Sequence, residues 1–512
     1  MKRTRIAGFA AAFLVVICLP SGSPSAGRGL ESADAQSRKV EWHQVVIRGR
    51  PAGYVQISEF PRDEGGFAVR TFMKMVISRG SRKLTLETLE EIEEDAKGKV
   101  VGFRLEQKMS KRATVVRGRV QGEVLRVTTE VEGSPPRRSE VPFDPGSVGP
   151  HRAEALAREK LRQEGDSLEL PVLFAELQRC GTQKLTLGPL EDTKLLDGER
   201  QLRRVDVELS ILPVAITHWV DGDFRMVKSS LPMLGMEILT FRSTQEKILA
   251  ADYSSPPEIF VSSKIPVRRR VPAGATRATY RLRWKKDPPA AKGLGFLRAP
   301  GHEVVRREAG DRVWILEVRA VAPAVPGKRA GKVEGELRSF LEPSPYVQSD
   351  SEKIQRLSRE IVGEEQDRWK AAKRLERWVF KNVRAKNLDT GFASASEVLD
   401  TRTGDCTEHA VLLAALARAA GVPARLTAGL LYHRRFFVGH MWTEVHCGEW
   451  VPLDATLGKG RVGADHIALA TSSPGDSSVS EIFLKLVPLL GNLEIEVLET
   501  DVRAVGPRRG GR

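Results

Sequence analysis

Apolar and polar positions alternate through the first half of the chain, and the period changes near residue 349. "GYVQISEF" (53–60) and "KLTLETLEEI" (83–92) alternate as antiparallel strands with one buried face do. "DAKGK", "RGRVQGEVLRV" and "WVDGDFRM" place glycine-containing turns between such runs, and one helical patch, "HRAEALAREKLRQEG" (151–165), interrupts them. Residues 40–255 therefore read as an antiparallel β-rich domain, a twisted sheet that serves as a platform for substrate or partner. Nothing in that stretch gathers acid–base or metal-binding residues. Residues 262–342 read as a second, small β-rich domain. There "ATYRLRWKK" and "DRVWILEVRAV" are strands, and "DPPAAKGLG" and "APAVPGKRAGK" are breaker-rich loops. "VRRRV" (267–271) reads as a solvated strand edge rather than a nucleic-acid site.

From residue 349 the apolar positions take a helical period. Ser349 and Glu352 have capping-box spacing, and Ile354, Leu357 and Ile361 recur on one face. "DRWKAAKRLERWVFKNV" (367–383) predicts a second amphipathic helix, with Trp369, Leu375, Trp378 and Val379 apolar. In "GDCTEHAVLLAALARAAGVPAR" (404–425), Asp405 is placed to cap a helix that Gly421 and Pro423 end. Its body is apolar almost all round, so it is buried, and Cys406 falls in its first turn. A thiol there meets the positive end of the helix and nearby backbone N–H groups, which favour thiolate. Asp405 works against that charge, so the thiol needs a cationic partner.

"VGHMWTEVHCGEWVPLDATLG" (438–458) offers one, as two alternating runs about a turn at Cys447, Gly448 and Glu449. A two-residue loop puts His440 and Asp454 on opposite faces. A three-residue loop, with Gly448 in its left-handed position, pairs His446 with Trp450 and brings Asp454 diagonal to His440 on one face. With the second register, Cys406, His440 and Asp454 form nucleophile, base and orienter: the carboxylate stabilises imidazolium, and imidazolium stabilises thiolate. Each has a plainer reading, since a lone buried cysteine is usually a small core hydrophobe. The order cysteine, helix, hairpin raises the catalytic one. His440, Glu444 and His446 share a strand face but spread over about 20 Å, too far apart for one zinc ion. Glu408 is placed to line the cleft, and His409 to support the helix from within.

Composition adds the compartment. Hydrophobic residues are 41% of 512 and charged residues 29%, an ordinary globular balance for several domains. Lys2, Arg3 and Arg5 precede an apolar run from Ile6 to Leu19, and small residues follow as far as Ala35. Residues 1–35 thus read as a signal peptide cleaved after Ala35 or Ala26, with no transmembrane span in the mature chain. The protein is expected to be exported, periplasmic or extracellular. Export leaves Cys180, Cys406 and Cys447, an odd number, so at least one carries no intramolecular disulfide; arithmetic alone suggests a Cys180–Cys447 pair. The net charge of +15 favours an anionic envelope surface, while the absence of aromatic-interleaved basic motifs argues against a specific nucleic acid. Residues 501–512 form a basic tail.

The blocks "R-x-G-D-C-T-E-H-A", "G-H-M-W-T-E-V" and "W-V-P-L-D-A-T-L-G" resemble the core of the bacterial transglutaminase-like superfamily in order and spacing, over about residues 349–470. The resemblance implies an α+β fold: a papain-like transglutaminase core (349–500), a central helix on an antiparallel sheet, preceded by the two mainly antiparallel β regions. It also implies Cys406 as nucleophile, His440 as base and Asp454 as orienter, with Trp442 and Arg425 structural. The implied activity is that of a thiol enzyme acting on peptide, isopeptide or glutamine-type amides, hydrolytic by default, with amine transfer as the variant. No acidic cluster has calcium-loop spacing, so no metal ligand and no cofactor is assigned. The competing expectation is a non-catalytic envelope scaffold built on the same core.

Overall fold

The computed structural model describes residues 39–502, apart from 80–81, 133, 234–235, 259–263, 286–298, 309–311, 323–332, 385–392 and most of 474–490. The signal-peptide stretch 1–35, the tail from 503 and most of the two breaker-rich loops lie outside the described residues. The fold is mixed α and β, with a large antiparallel sheet towards the N-terminus and a region of helices and two smaller sheets beyond it. Two compact units divide after Glu258.

The first unit contains one fourteen-stranded sheet. Its first run comprises β1 (Lys39–Ile47), β2 (Arg50–Pro61), β3 (Phe67–Arg79), β4 (Arg82–Glu94), β5 (Val100–Lys108), β6 (Ala113–Gln121), β7 (Val124–Val131) and β8 (Arg137–Pro142). After helix α1 (Pro150–Lys160) come β9 (Ser167–Phe174), β10 (Arg179–Leu195), β11 (Gly198–Leu209), β12 (Leu212–Val220), β13 (Met226–Met233) and β14 (Met236–Ser243), then α2 (Gln245–Ala250). Sequence neighbours pair antiparallel within each run, and β1 pairs with β14 to join the two meanders. Short connections make this the cheapest topology to close. The alternation seen in "KLTLETLEEI" is the pleat of β4, whose Leu84, Leu86 and Ile92 are buried on one face with Thr88, Glu90 and Glu94. Helix α1 stops at Lys160, short of the predicted end. The Asp166 carboxylate accepts from the N–H groups of Arg162 and Gln163 at 2.7 Å each and bends the chain out of the helix.

The second unit starts with β15 (Ile265–Pro266), β16 (Arg277–Trp284), β17 (His302–Glu308) and β18 (Val313–Arg319). Four helices follow: α3 (Glu352–Val362), α4 (Arg368–Asn382), α5 (Ala395–Thr401) and α6 (Cys406–Ala419). The chain ends in β19 (Ala424–His433), β20 (Phe436–His446), β21 (Trp450–Leu453), β22 (His466–Thr471) and β23 (Leu493–Asp501). One sheet runs β15-β20-β19-β22, with β21 on β20; a second runs β17-β18-β16-β23. Segment 262–342 is thus interleaved with the C-terminal strands, since β15 pairs with β20 and β16 with β23. "VRRRV" is not a strand edge, because the strand ends at Pro266 and the run continues as bends with Val267 and Val271 buried. The cap of α3 is Ser351 rather than Ser349, and its buried stripe is Ile354, Ser358 and Val362, one position round from the sequence reading. Asp367 caps α4 as a side-chain acceptor for the N–H groups of Trp369 and Lys370. No described helix is long and apolar enough to cross a membrane.

Candidate active site

Cys406 is the first residue of α6, and a closed set of bonds fixes the turn that presents it. Asp405 accepts from the Thr407 N–H at 2.9 Å, and the Glu408 carboxylate accepts from the Asp405 N–H at 2.9 Å. The other Glu408 oxygen accepts from the Ala393 N–H at 3.1 Å. Glu408 is therefore fully buried and engaged with backbone, and does not line a cleft as the sequence suggested. Gly404 permits this approach: its φ is +149°, and a Cβ there would lie 2.2 Å from the Glu408 Cβ. His409 supports the same turn from within, its Nδ1–H donating to the Asp405 carbonyl. Twelve of the fourteen residues of α6 are buried, so the helix that carries the thiol is rigidly held. The Thr443 hydroxyl donates to the Ala410 carbonyl at 2.9 Å, tying α6 one turn past Cys406 to β20 three residues past His440.

The hairpin of β20 and β21 has the register that parity required, with His446 opposite Trp450 and Thr443 opposite Leu453. Its loop is Cys447, Gly448 and Glu449, with Gly448 at φ +95° and the Cys447 N–H bonded to the Glu449 carbonyl at 2.9 Å. Asp454 follows directly, and its Oδ2 accepts from His440 Nε2 at 2.8 Å, with both residues buried. Its Oδ1 accepts from the N–H groups of Thr456 at 2.8 Å and Leu457 at 3.4 Å, so the carboxylate is anchored by the turn it begins. Burial alone would raise the Asp454 pKa, yet the charge of His440 and bonds from two imidazoles hold it well below the usual carboxylate range.

The second imidazole belongs to His466, which the sequence reading missed. It opens β22, sending Nε2 to Asp454 Oδ2 at 3.3 Å and Nδ1 to Asp465 Oδ1 at 2.8 Å. The only sequence signal was an Asp-His dipeptide at the head of an apolar run, which does not by itself say what lies across the sheet. Burial works to lower the His466 pKa, but the Asp465 charge and the bonds to both carboxylates outweigh it and raise it to about 9. Asp465, with burial similarly overcome by His466, falls to about 2. The Trp442 ring packs against both imidazoles, with centroids 6.2 Å from His440 and 5.2 Å from His466. Behind it, segment 262–342 forms the wall. Ala299 packs on Trp442 and Ala468, His302 Nε2 accepts from the Ala468 N–H at 2.9 Å, and the Tyr280 hydroxyl donates to the Ala464 carbonyl at 2.6 Å. From α4, the buried Glu376 accepts from the Gly460 N–H at 2.9 Å; its pKa is raised, first by burial and further by Asp454.

Donor atoms of His440, Asp454 and His466 all lie within 4.8 Å of one another, close enough to share an ion. The two Nε2 atoms, however, already converge on one carboxylate oxygen as hydrogen bonds. His446 and Glu444 do not join that cluster. Arg425 directs two nitrogens at one Glu444 oxygen, with Nε at 2.8 Å and Nη2 at 2.6 Å from Oε2, and Arg425 in turn stacks on Trp450 at 4.3 Å. Within the second unit, no disulfide joins Cys406 to Cys447.

Residues 355–455, the stretch from α3 to just past Asp454, match the family model of the transglutaminase-like superfamily, so a transglutaminase-like domain is present there. An uncharacterised protein of Haemophilus influenzae is 30% identical over 99 residues, 19% of this chain and 27% of that protein. The chain thus matches about a quarter of the length of that curated relative. A candidate cysteine protease of Cytophaga hutchinsonii resembles 43% of the chain and 82% of itself at 16% identity, with a TM-score of 0.30. A β-barrel-like protein of unknown function from Brucella abortus resembles 40% of the chain and 95% of itself at 10% identity, with a TM-score of 0.31. Likenesses at such TM-scores carry no argument about activity.

Proposed function

We propose that the chain is an exported thiol enzyme that acts on peptide, isopeptide or glutamine-type amides through a Cys406 acyl-enzyme, within a papain-like arrangement of α6 on the β19–β20 sheet. One observation carries this reading: the 2.8 Å bond from His440 Nε2 to the buried Asp454 carboxylate, which gives a candidate base its orienter. With Nε2 committed to Asp454, Nδ1 is the nitrogen that receives the Cys406 proton. The sulfur then attacks the amide carbon, and the oxygen gains negative charge beside the Cys406 N–H. Collapse expels the amine, which takes the proton from imidazolium, and leaves a thioester. Water, deprotonated by His440, releases the acid and restores the thiol; an amine in place of water gives transfer. Signal-peptide removal after Ala35 or Ala26 puts the enzyme outside the cytoplasm, where its charge of +15 draws it to anionic envelope surfaces. The N-terminal sequence of the exported protein checks that step.

The test exploits a contrast between two thiols. Cys406 is 1% exposed, while Cys447 is partly exposed and its thiol is pushed up to about 12, first by burial. Labelling governed by exposure therefore favours Cys447, and labelling governed by thiolate favours Cys406. Iodoacetamide at pH 6 is expected to mark Cys406 first, and His440→Ala to abolish that preference. Thr443 and His440 stand an odd number of positions apart, so the Thr443 bond sets the distance of α6 and not the aim of the thiol. The alkylation experiment reads that aim. Labelling of Cys406 no faster than of Cys447 refutes the enzyme and leaves a scaffold.

A further inference from the structure

We propose that His466 is a positioning residue for the reaction proposed above: clamped between Asp465 and Asp454, it keeps the Asp454 carboxylate turned to His440, so that the three-residue site is one end of a chain Asp465–His466–Asp454–His440. This rests on the thiol-enzyme reading of Cys406, His440 and Asp454. A carboxylate only accepts, so a ring whose two nitrogens both face carboxylates must carry a proton on each. His466 is such a ring, at 2.8 Å from Asp465 and 3.3 Å from Asp454.

Its neighbour His302, half-buried, shows what a merely structural histidine does here. Nδ1 of His302 donates to the Pro300 carbonyl at 3.0 Å and Nε2 accepts from the Ala468 N–H, one donor and one acceptor, which is the neutral ring. Burial accordingly lowers the His302 pKa to about 4, whereas that of His466 is raised to about 9.

The cation has a definite place in the charge pattern. Together Asp454, His466 and Asp465 carry one net negative charge instead of two, and the His466 ring centre lies 5.7 Å from that of His440. His466 thus fixes Asp454 by its bond and sets a positive charge beside the His440 ring. From β17 comes His302, from β18 Arg319 and from β20 Glu444, all lining one small pocket with His466. Lys459 reaches Asp465 Oδ2 at 3.6 Å, and Glu376 of α4 interacts electrostatically with Asp454. Glu444 is neutralised by Arg425, so the nearest charges to His466 are its two carboxylates.

The experiment follows Cys406 alkylation by iodoacetate from pH 4 to 10 in the full chain. Imidazolium at 440 attracts the anionic reagent, so the rate falls when His440 loses its proton, and that falling limb reports its titration. Loss of a unit charge about 6 Å away in His466→Gln is expected to move the limb upward by about one pH unit. A role confined to packing lowers the rate without moving the limb. A second measurement needs no variant: the ring nitrogens of His466, observed by 15N NMR in the wild-type protein at pH 7.5, are both expected to be protonated. A neutral tautomer at that pH, or a limb that His466→Gln leaves in place, overturns the positioning role while the enzyme reading stands. A wild-type profile with no Cys406 labelling at low pH sinks the enzyme reading and this role with it.

Discussion

Gly404 and Glu408 make one structural element, and substitutions there should behave as one. Glu408→Ala strips the acceptors from two backbone N–H groups, those of Asp405 and Ala393, in a buried turn. An unsatisfied buried donor costs about 1–3 kcal/mol, so the loss is about 2–6 kcal/mol for the pair. Gly404→Ala reaches the same bonds by another route. Its new Cβ would stand 2.2 Å from the Glu408 Cβ, far inside carbon–carbon contact, so Glu408 must move away from both N–H groups. Overpacking and the left-handed backbone add about 1–3 kcal/mol each. The double variant then has little left to lose, and its destabilisation should approach that of the worse single change rather than the sum. For a unit of this size about 1 kcal/mol shifts the melting point by about 2–4 °C, so either change should lower the melting point of the C-terminal unit by roughly 5–20 °C. Calorimetry of the full chain measures the three variants against wild type, and alkylation of Cys406 should slow in each as its turn frays. Strict additivity in the double variant, or a Glu408→Ala melting point within a degree of wild type, would refute the claim that this box presents the thiol.

Two further predictions concern charges away from the thiol. Arg425→Ala leaves Glu444, 1% exposed, as a buried charge without its cation, a loss of about 3–5 kcal/mol; Arg425→Lys should recover only part because an ammonium replaces two N–H contacts on Oε2 with one and loses the flat stack on Trp450. Urea midpoints of the C-terminal unit check this, and equal stability of all three proteins would count against it. In the first unit, burial raises Glu90 to about 8, with Glu176 adding to it. The folded state therefore keeps a proton that the unfolded chain releases above its ordinary carboxyl range. That contribution to stability is full below the unfolded pKa and drains away as pH climbs from about 4.5 to 8, by a few kcal/mol in all. Pulsed hydrogen exchange on β4 after urea equilibration at pH 5 and pH 8 should show the decline in wild type and a flatter response in Glu90→Gln. A steeper response in the variant would reverse the sign of the argument.

What the sequence made legible was local. Asp405 beside an apolar run, Gly421 and Pro423 beyond it, and a glycine in a three-residue turn each act within a few positions, so their backbone consequences can be read without knowing the fold. The same parity that chose the turn placed Asp454 next to His440, and the 2.8 Å bond between them is the result. Shifts of one or two positions arose where two local choices were nearly equal. Ser349 and Ser351 both precede Glu352, and packing of Ser358 against the Leu416 carbonyl at 2.9 Å selects the face of α3 and hence its start. A charged residue two positions from a thiol suggests a cleft, whereas the nearness of Gly404 lets Glu408 turn inward to backbone.

What stayed hidden depended on distance along the chain. His302 meets the Ala468 N–H across 166 positions, and Tyr280 meets the Ala464 carbonyl across 184. Neither carries a motif, since any buried residue of the right polarity could satisfy those groups. Yet these contacts set what segment 262–342 does: its buried groups pack behind Trp442 and the head of β22, where His466 must stand to reach both Asp454 and Asp465. A truncation at residue 349, where the helical period begins, would keep Cys406, His440 and Asp454 but remove β15 from the edge of β20 and the wall from behind Trp442. The matched stretch 355–455 contains every residue the sequence proposed for chemistry and none of Asp465, His466 or His302. The chemistry and its support are thus encoded in different parts of the chain. The smallest segment able to hold His440 at its carboxylate must extend on both sides of the region that the motif defines.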